Sequence, residues 1–127
     1  MTKILLILTA VFEAATGLAL LASPSLASAS LTGLPIEPAA GLILTRIAGA
    51  ALLAIGVTCW LARDEGHSRG GRAVIAGLLV YNSVVVAVLA YAGMRLGANG
   101  TALWPAAALH LGLAGFCITT LSRSRPV

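Results

Sequence analysis

Charge is scarce in this sequence: only 9% of its 127 residues are Asp, Glu, Lys or Arg, and just four residues are acidic. A water-soluble domain of this length would need far more polar surface around its core. Aromatic residues make up 5% of the chain, too few to interleave with a basic face, so nucleic acid is not an expected partner. The two cysteines, Cys59 and Cys117, fall near the ends of apolar runs on the side expected to face the reducing cytoplasm, where a structural disulfide is not expected, and read as free, buried thiols. Phosphate-cradling glycine loops, a nucleophile elbow and paired carboxylates are all missing. His110 and Cys117 share a helix face, but zinc or copper wants three or four convergent ligands. Haem would need His110 as an axial ligand and a cavity that nothing else marks. The expectation is therefore no enzyme, no metal and no cofactor.

Hydrocarbon is abundant. Hydrophobic residues make up 59% and mean hydropathy is +1.00. A bilayer core of about 30 Å needs about 20 mostly apolar residues in a helix. Four such segments can be cut from the chain, about 3–22, 39–62, 72–94 and 101–121. They predict an all-α membrane protein, an antiparallel four-transmembrane-helix bundle forming a single domain over 1–127. With the N-terminus inside, Lys3, Arg63, Arg69, Arg72, Arg123 and Arg125 are cytoplasmic and Arg95 is external. That asymmetry, with an even number of spans, predicts both termini in the cytoplasm. The formal charge of +4 then follows from topology and attraction to anionic lipid.

The first thirty residues imitate a secretory signal, with Lys3, an apolar run and Ala27-Ser28-Ala29. Glu13 inside the run argues against that, and the segment reads as the first span. Next, Ser23 before Pro24 marks a helix start and Gly33 followed by Pro35 a stop, predicting a short interfacial helix with Leu26 and Leu31 toward lipid. Arg63 to Arg72 forms a glycine-punctuated hairpin whose acids pair with arginines in solvent. Trp104-Pro105 opens the last span. Glycines at 17, 49, 56, 77, 93, 112 and 115 predict close helix packing. Their number also points to a homodimer or a larger membrane complex as partner, beside the lipid bilayer.

Each span carries one residue near its middle that hydrocarbon should reject: Glu13, Arg46, Asn82 and His110. Counted inward from the span ends, Glu13, Asn82 and His110 lie about 13 to 15 Å deep and Arg46 about 10 Å. An unpaired charge at that depth costs about 2.5 to 3.5 kcal/mol on insertion scales. The expectation is a buried Glu13–Arg46 ion pair with Asn82 and His110 bonded around it, and Thr9, Thr16, Thr45 and Tyr81 as supporting partners. Thr9, Glu13, Thr16 and Gly17 share one helical face. Such a cluster can pin helix register, line a ligand pocket, or carry protons with Glu13 as carrier and His110 as relay.

The first span running into "GLALLASPSLASASLTG", then "RIAGAALLAIGVTCWLAR", "GLLVYNSVVVAVLAYAG" and "LWPAAALHLGLAG", resemble the small uncharacterised four-helix bacterial membrane proteins grouped as DoxX-like. The resemblance implies an inner-membrane four-helix bundle, with some relatives linked to quinone-dependent redox complexes, and carries over no catalytic residue. The chain is also similar, more distantly, to small multidrug-resistance transporters, which have four spans, this length and a glutamate in the first helix at a place like Glu13. It departs from them at Arg46 and His110 and lacks their aromatic-rich second and third helices. A permanent arginine partner for Glu13 would also suit an exchanger poorly. The expected function is a non-enzymatic binding or accessory subunit, whose buried Glu13, Arg46, Asn82 and His110, with Tyr81 and Thr16, stabilise the bundle and bind a small ligand. The alternative is a proton-coupled small-molecule transporter working as a dimer.

Overall fold

A computed structural model describes residues 1–36 and 39–123. Five helices follow in order: α1 Thr2–Ala22, α2 Pro24–Thr32, α3 Ala39–Ala62, α4 Arg69–Arg95 and α5 Leu103–Arg123. All but α2 are long and apolar enough to cross a membrane. The boundary between α1 and α2 is chemical. Ser23 leaves helical geometry at φ −138°, its N–H still bonded to the Ala19 carbonyl, and Pro24 opens the next helix with no N–H of its own to satisfy. Gly33 closes α2 in the left-handed conformation at φ 82°, which glycine adopts without a Cβ clash.

α4 begins three residues before the expected span because Ser68 caps it, its hydroxyl accepting the Gly71 N–H at 3.0 Å. At the other end, the Ala98 N–H reaches back to the Ala92 carbonyl over Gly97 at φ 72°, a glycine-terminated helix end. The chain between α4 and α5 is then stitched to α2. Asn99 N–H donates to Thr32 O at 3.2 Å and Ala102 N–H to Ser30 O at 2.8 Å, so orphan carbonyls of the short helix are satisfied by the loop above it. Leu26 is exposed, as expected for a lipid-facing residue, but Leu31 turns inward and borders an internal cavity.

The helices associate as two close pairs. α1 and α3 meet backbone to backbone, because glycines remove the side chains between them: a methyl group on Gly17 would lie 2.6 Å from the Gly49 carbonyl oxygen, and one on Gly56 2.9 Å from Ala10 O. Gly17 lies against Gly49 and Ala10 against Gly56, so the two helices run in opposite directions. In the second pair, Gly93 of α4 sits under Trp104 at the start of α5. Leu5, Leu6, Cys59, Ile75, Leu78, Leu113 and Cys117 fill the space between the pairs at one end of the molecule. A Cβ added at Gly77, Gly112 or Gly115 would meet nothing within 4 Å; contrary to expectation, no close helix approach depends on these three glycines.

Outside this core the surface is apolar. Ile4, Leu8, Val11 and Leu18 on α1, Ile43 and Ile47 on α3, and Val80, Val84 and Val88 on α4 all point outward and are more than half exposed. Water would not tolerate so continuous a shell, and lipid would. Polar pairing gathers instead at the helix ends, where Lys3 Nζ meets Asp64 at 2.6 Å and Arg63 Nε lies 3.6 Å from the same carboxylate.

Candidate functional site

Glu13 is the one acidic side chain buried among the described helices, with no exposed surface. It belongs to a face of α1 that carries Thr9 one turn earlier and Thr16 almost one turn later. The Tyr81 hydroxyl donates to Glu13 Oε2 at 3.1 Å. The second carboxyl oxygen, Oε1, is buried without a partner, and so is Thr9 Oγ1. Two orphaned oxygens a turn apart are a rare arrangement in a folded protein.

Asn82 follows Tyr81 on α4, turned about 100° further round the helix, so it faces α5 while Tyr81 faces α1. Its Nδ2 donates to the Leu78 carbonyl at 2.7 Å, which leaves Oδ1 toward His110 Nδ1, also at 2.7 Å. The amide orientation fixes the imidazole: Oδ1 can only accept, so Nδ1 carries the proton. Phe12 and Tyr81 present their rings edge-on to the imidazole, with centroids at 6.0 and 5.6 Å. The Glu13–Tyr81 and Asn82–His110 bonds thus form two branches that meet at the Tyr81–His110 ring contact.

Between the two helix pairs lies a cavity of about 460 Å³, within the size range of small-molecule sites. Thr16, Tyr81 and His110 put polar groups on its wall, Glu13 borders it without exposed surface, and Ser30 and Leu31 of α2 also border it. Apolar side chains from α1, α3, α4 and α5, with Ala27 of α2 and Ala102 of the α4–α5 connection, make up the rest. Asn82 stands behind the wall and acts through His110.

Arg46 does not join this centre. Its side chain is exposed and its Nε donates to the Leu21 carbonyl at 3.4 Å. The expected Glu13–Arg46 ion pair is absent, and the cluster is built from Glu13, Tyr81, Asn82 and His110. The reason is register. The glycine face of α3 must meet α1, which turns Leu52 toward the cavity and leaves Arg46 about 120° away around the helix. Arg46 is also level with Leu21, eight residues and about 12 Å along α1 from Glu13. Of the expected supporting threonines, Thr16 borders the cavity, Thr9 is buried without a partner, and Thr45 bonds the Gly41 carbonyl within its own helix.

Phe12, Ser30 and Leu31 were not legible as site residues. Nothing local marks them, since their place depends on α2 folding back under the α4–α5 connection. Cys59 and Cys117 are free and fully buried in the apolar core.

Four spanning-length apolar helices and a lipid-compatible surface suggest a helical membrane protein, with a largely apolar cavity between its helix pairs. No family model, curated protein or solved structure matches the chain.

Proposed function

We propose that this chain is a four-span protein of a bacterial inner membrane, antiparallel, with both termini cytoplasmic, that acts as a non-enzymatic binding or accessory subunit holding a small, largely apolar molecule in the cavity between its helix pairs. The observation that carries this is the cavity of about 460 Å³ bordered by Glu13, Tyr81 and His110. A network serving only to pin helix register has no use for an unfilled space beside it or for a carboxyl oxygen without a partner. Basic residues at the α3–α4 hairpin and the chain ends support the orientation, and the resemblance to DoxX-like proteins is consistent with the setting.

The test is native mass spectrometry of the protein taken from its membrane without delipidation. A stoichiometric small-molecule adduct is expected, and Ala106→Phe, which fills the cavity from α5, should abolish it. Wild-type protein that never carries an adduct, in membrane extract or with added lipophilic compounds, would overturn the proposal.

One observation favours the second reading, proton-coupled transport. With Arg46 elsewhere, Glu13 has no permanent cation to hold it ionised, so the objection to an exchanging carboxyl disappears. Glu13→Gln should then abolish substrate-driven proton movement in liposomes while leaving the fold intact.

A further inference from the structure

The cavity wall is one-sided in hydrogen-bonding character. Among the described residues, Lys, Arg, Asn, Gln and Trp, the side chains that bring N–H donors to a site, are all missing from its lining. The polar groups that are present have spent their protons elsewhere. The Tyr81 hydroxyl donates to Glu13, and Ser30 Oγ donates to the Ala27 carbonyl at 2.6 Å. His110 uses its Nδ1 proton on Asn82, whose orientation is set by the Leu78 carbonyl. In the neutral ring, which a buried imidazole without an ion-pair partner adopts, Nε2 keeps only its lone pair. Glu13, fully buried and without an ion-pair partner, is neutral by the same argument; with the phenol donating to Oε2, its own proton sits on Oε1, which has no exposed surface and no partner. Thr16 is the one group whose hydroxyl can serve either way.

Glu13 itself has no exposed surface, so nothing in the cavity reaches its carboxyl while Tyr81 stays bonded. Tyr81 borders the 460 Å³ cavity on one side and, on the other, a groove of about 370 Å³ between α3 and α4. Its phenol therefore has space on both sides into which to swing. The hydroxyl occupies Oε2 as an incoming donor would.

We infer that the cavity selects molecules whose polar end donates hydrogen bonds, a hydroxyl or an amino group on an apolar body, and that Tyr81 is a latch which such a group displaces from Glu13. This rests on the cavity being a ligand site. An incoming hydroxyl or amino group replaces the phenol at Oε2. Either group then also accepts the unpartnered Oε1 proton through its own lone pair, a bond the phenol does not make. A ketone of the same size has no proton with which to displace the phenol from Oε2 and finds only Thr16 to bond, and a carboxylate likewise cannot take the phenol's place.

The test uses the intact chain in phosphatidylcholine nanodiscs, with octanol, octylamine, methyl hexyl ketone and octanoate each brought to the same mole fraction in the bilayer. Affinity is read from the rise in unfolding temperature, which reports binding to the folded state. Octanol and octylamine are expected to bind roughly tenfold more tightly than the ketone, the worth of a hydrogen bond to a buried acceptor. Equal binding of ketone and alcohol, with the cavity still occupied, overturns the donor selectivity and leaves the ligand site standing. If no probe raises the unfolding temperature, the cavity does not take small amphipathic molecules and both conclusions fall.

Tyr81→Phe keeps the ring and removes the competing hydroxyl, so octanol should bind more tightly to it than to wild type. Weaker binding would overturn the latch. Independently of any ligand, the histidine nitrogen-15 shifts should show His110 protonated at Nδ1; protonation at Nε2 would place a donor in the wall and overturn the selectivity.

Discussion

The Tyr81 hydroxyl sits 3.1 Å from Glu13 Oε2 and ties α4 to α1 across 68 positions of sequence. It is a side-chain link between the two helix pairs at the depth of the cavity. Tyr81→Phe removes the bond and leaves the ring packing against His110, so it is expected to cost about 1 kcal/mol, the scale of interhelical hydrogen bonds in membranes. Unfolding in mixed detergent micelles measures it, and unchanged stability would mean the bond contributes nothing.

Asn82 is expected to govern His110 more than overall stability. Asn82→Leu removes the acceptor for Nδ1–H, so the imidazole should pass from a single tautomer to a mixture, visible in its nitrogen-15 shifts. Asn82→Asp retains an acceptor and should restore the single form. A mixture already present in wild type would contradict the 2.7 Å contact between Asn82 Oδ1 and His110 Nδ1.

Glycines divide sharply by position. Gly17→Val places a side chain where a Cβ alone would be 2.6 Å from Gly49 O and 2.8 Å from Leu53 N, and backbone cannot yield as a flexible side chain can. A loss of about 1–3 kcal/mol is expected from overpacking. Gly77→Ala and Gly112→Ala meet open space and should stay within about 0.5 kcal/mol of wild type. Comparable losses at all three would show that α4 and α5 use those glycines against another surface.

Arg46→Leu separates a lipid-facing arginine from a buried ion pair. Removing one partner of a buried pair typically costs 3–5 kcal/mol. Because Arg46 Nε bonds only the Leu21 carbonyl among described contacts, at 3.4 Å, the expected loss is below about 1 kcal/mol. A loss on the larger scale, or altered binding at the Glu13 cavity, would restore Arg46 to the centre.

At the hairpin end, the Lys3 hydrogen bond, aided by the Lys3 and Arg63 charges, holds the Asp64 carboxyl below its ordinary value. A depressed folded value means that the pairing stabilises the protein above the ordinary carboxylate range and is lost as pH falls through the folded value. Carbon-13 titration should show Asp64 moving back up in Lys3→Met. An unmoved titration would show that Lys3 is not its partner in solution.

Four apolar blocks determine four long helices, and the Ser23-Pro24 and Gly33 signals determine the short one, because span length, proline's missing N–H and glycine's left-handed backbone are local properties that no tertiary contact need supply. Likewise the buried places of Glu13, Asn82 and His110 could be read from a residue that lipid rejects in the middle of an apolar run. Pairing was a different matter. Arg46 is as conspicuous in the sequence as Glu13, yet which face of α3 meets α1 is decided by Gly49 and Gly56 lying against Gly17 and Ala10. That close approach fixes rotation and register together, carrying Arg46 outward and bringing Tyr81, less conspicuous in sequence, to the carboxyl. Composition and local backbone chemistry thus set which segments are helices and which polar groups must be sheltered, whereas the choice of partner for each group was made by interhelical packing, because hydrogen bonds act over about 3 Å and a turn's difference in register exceeds that reach.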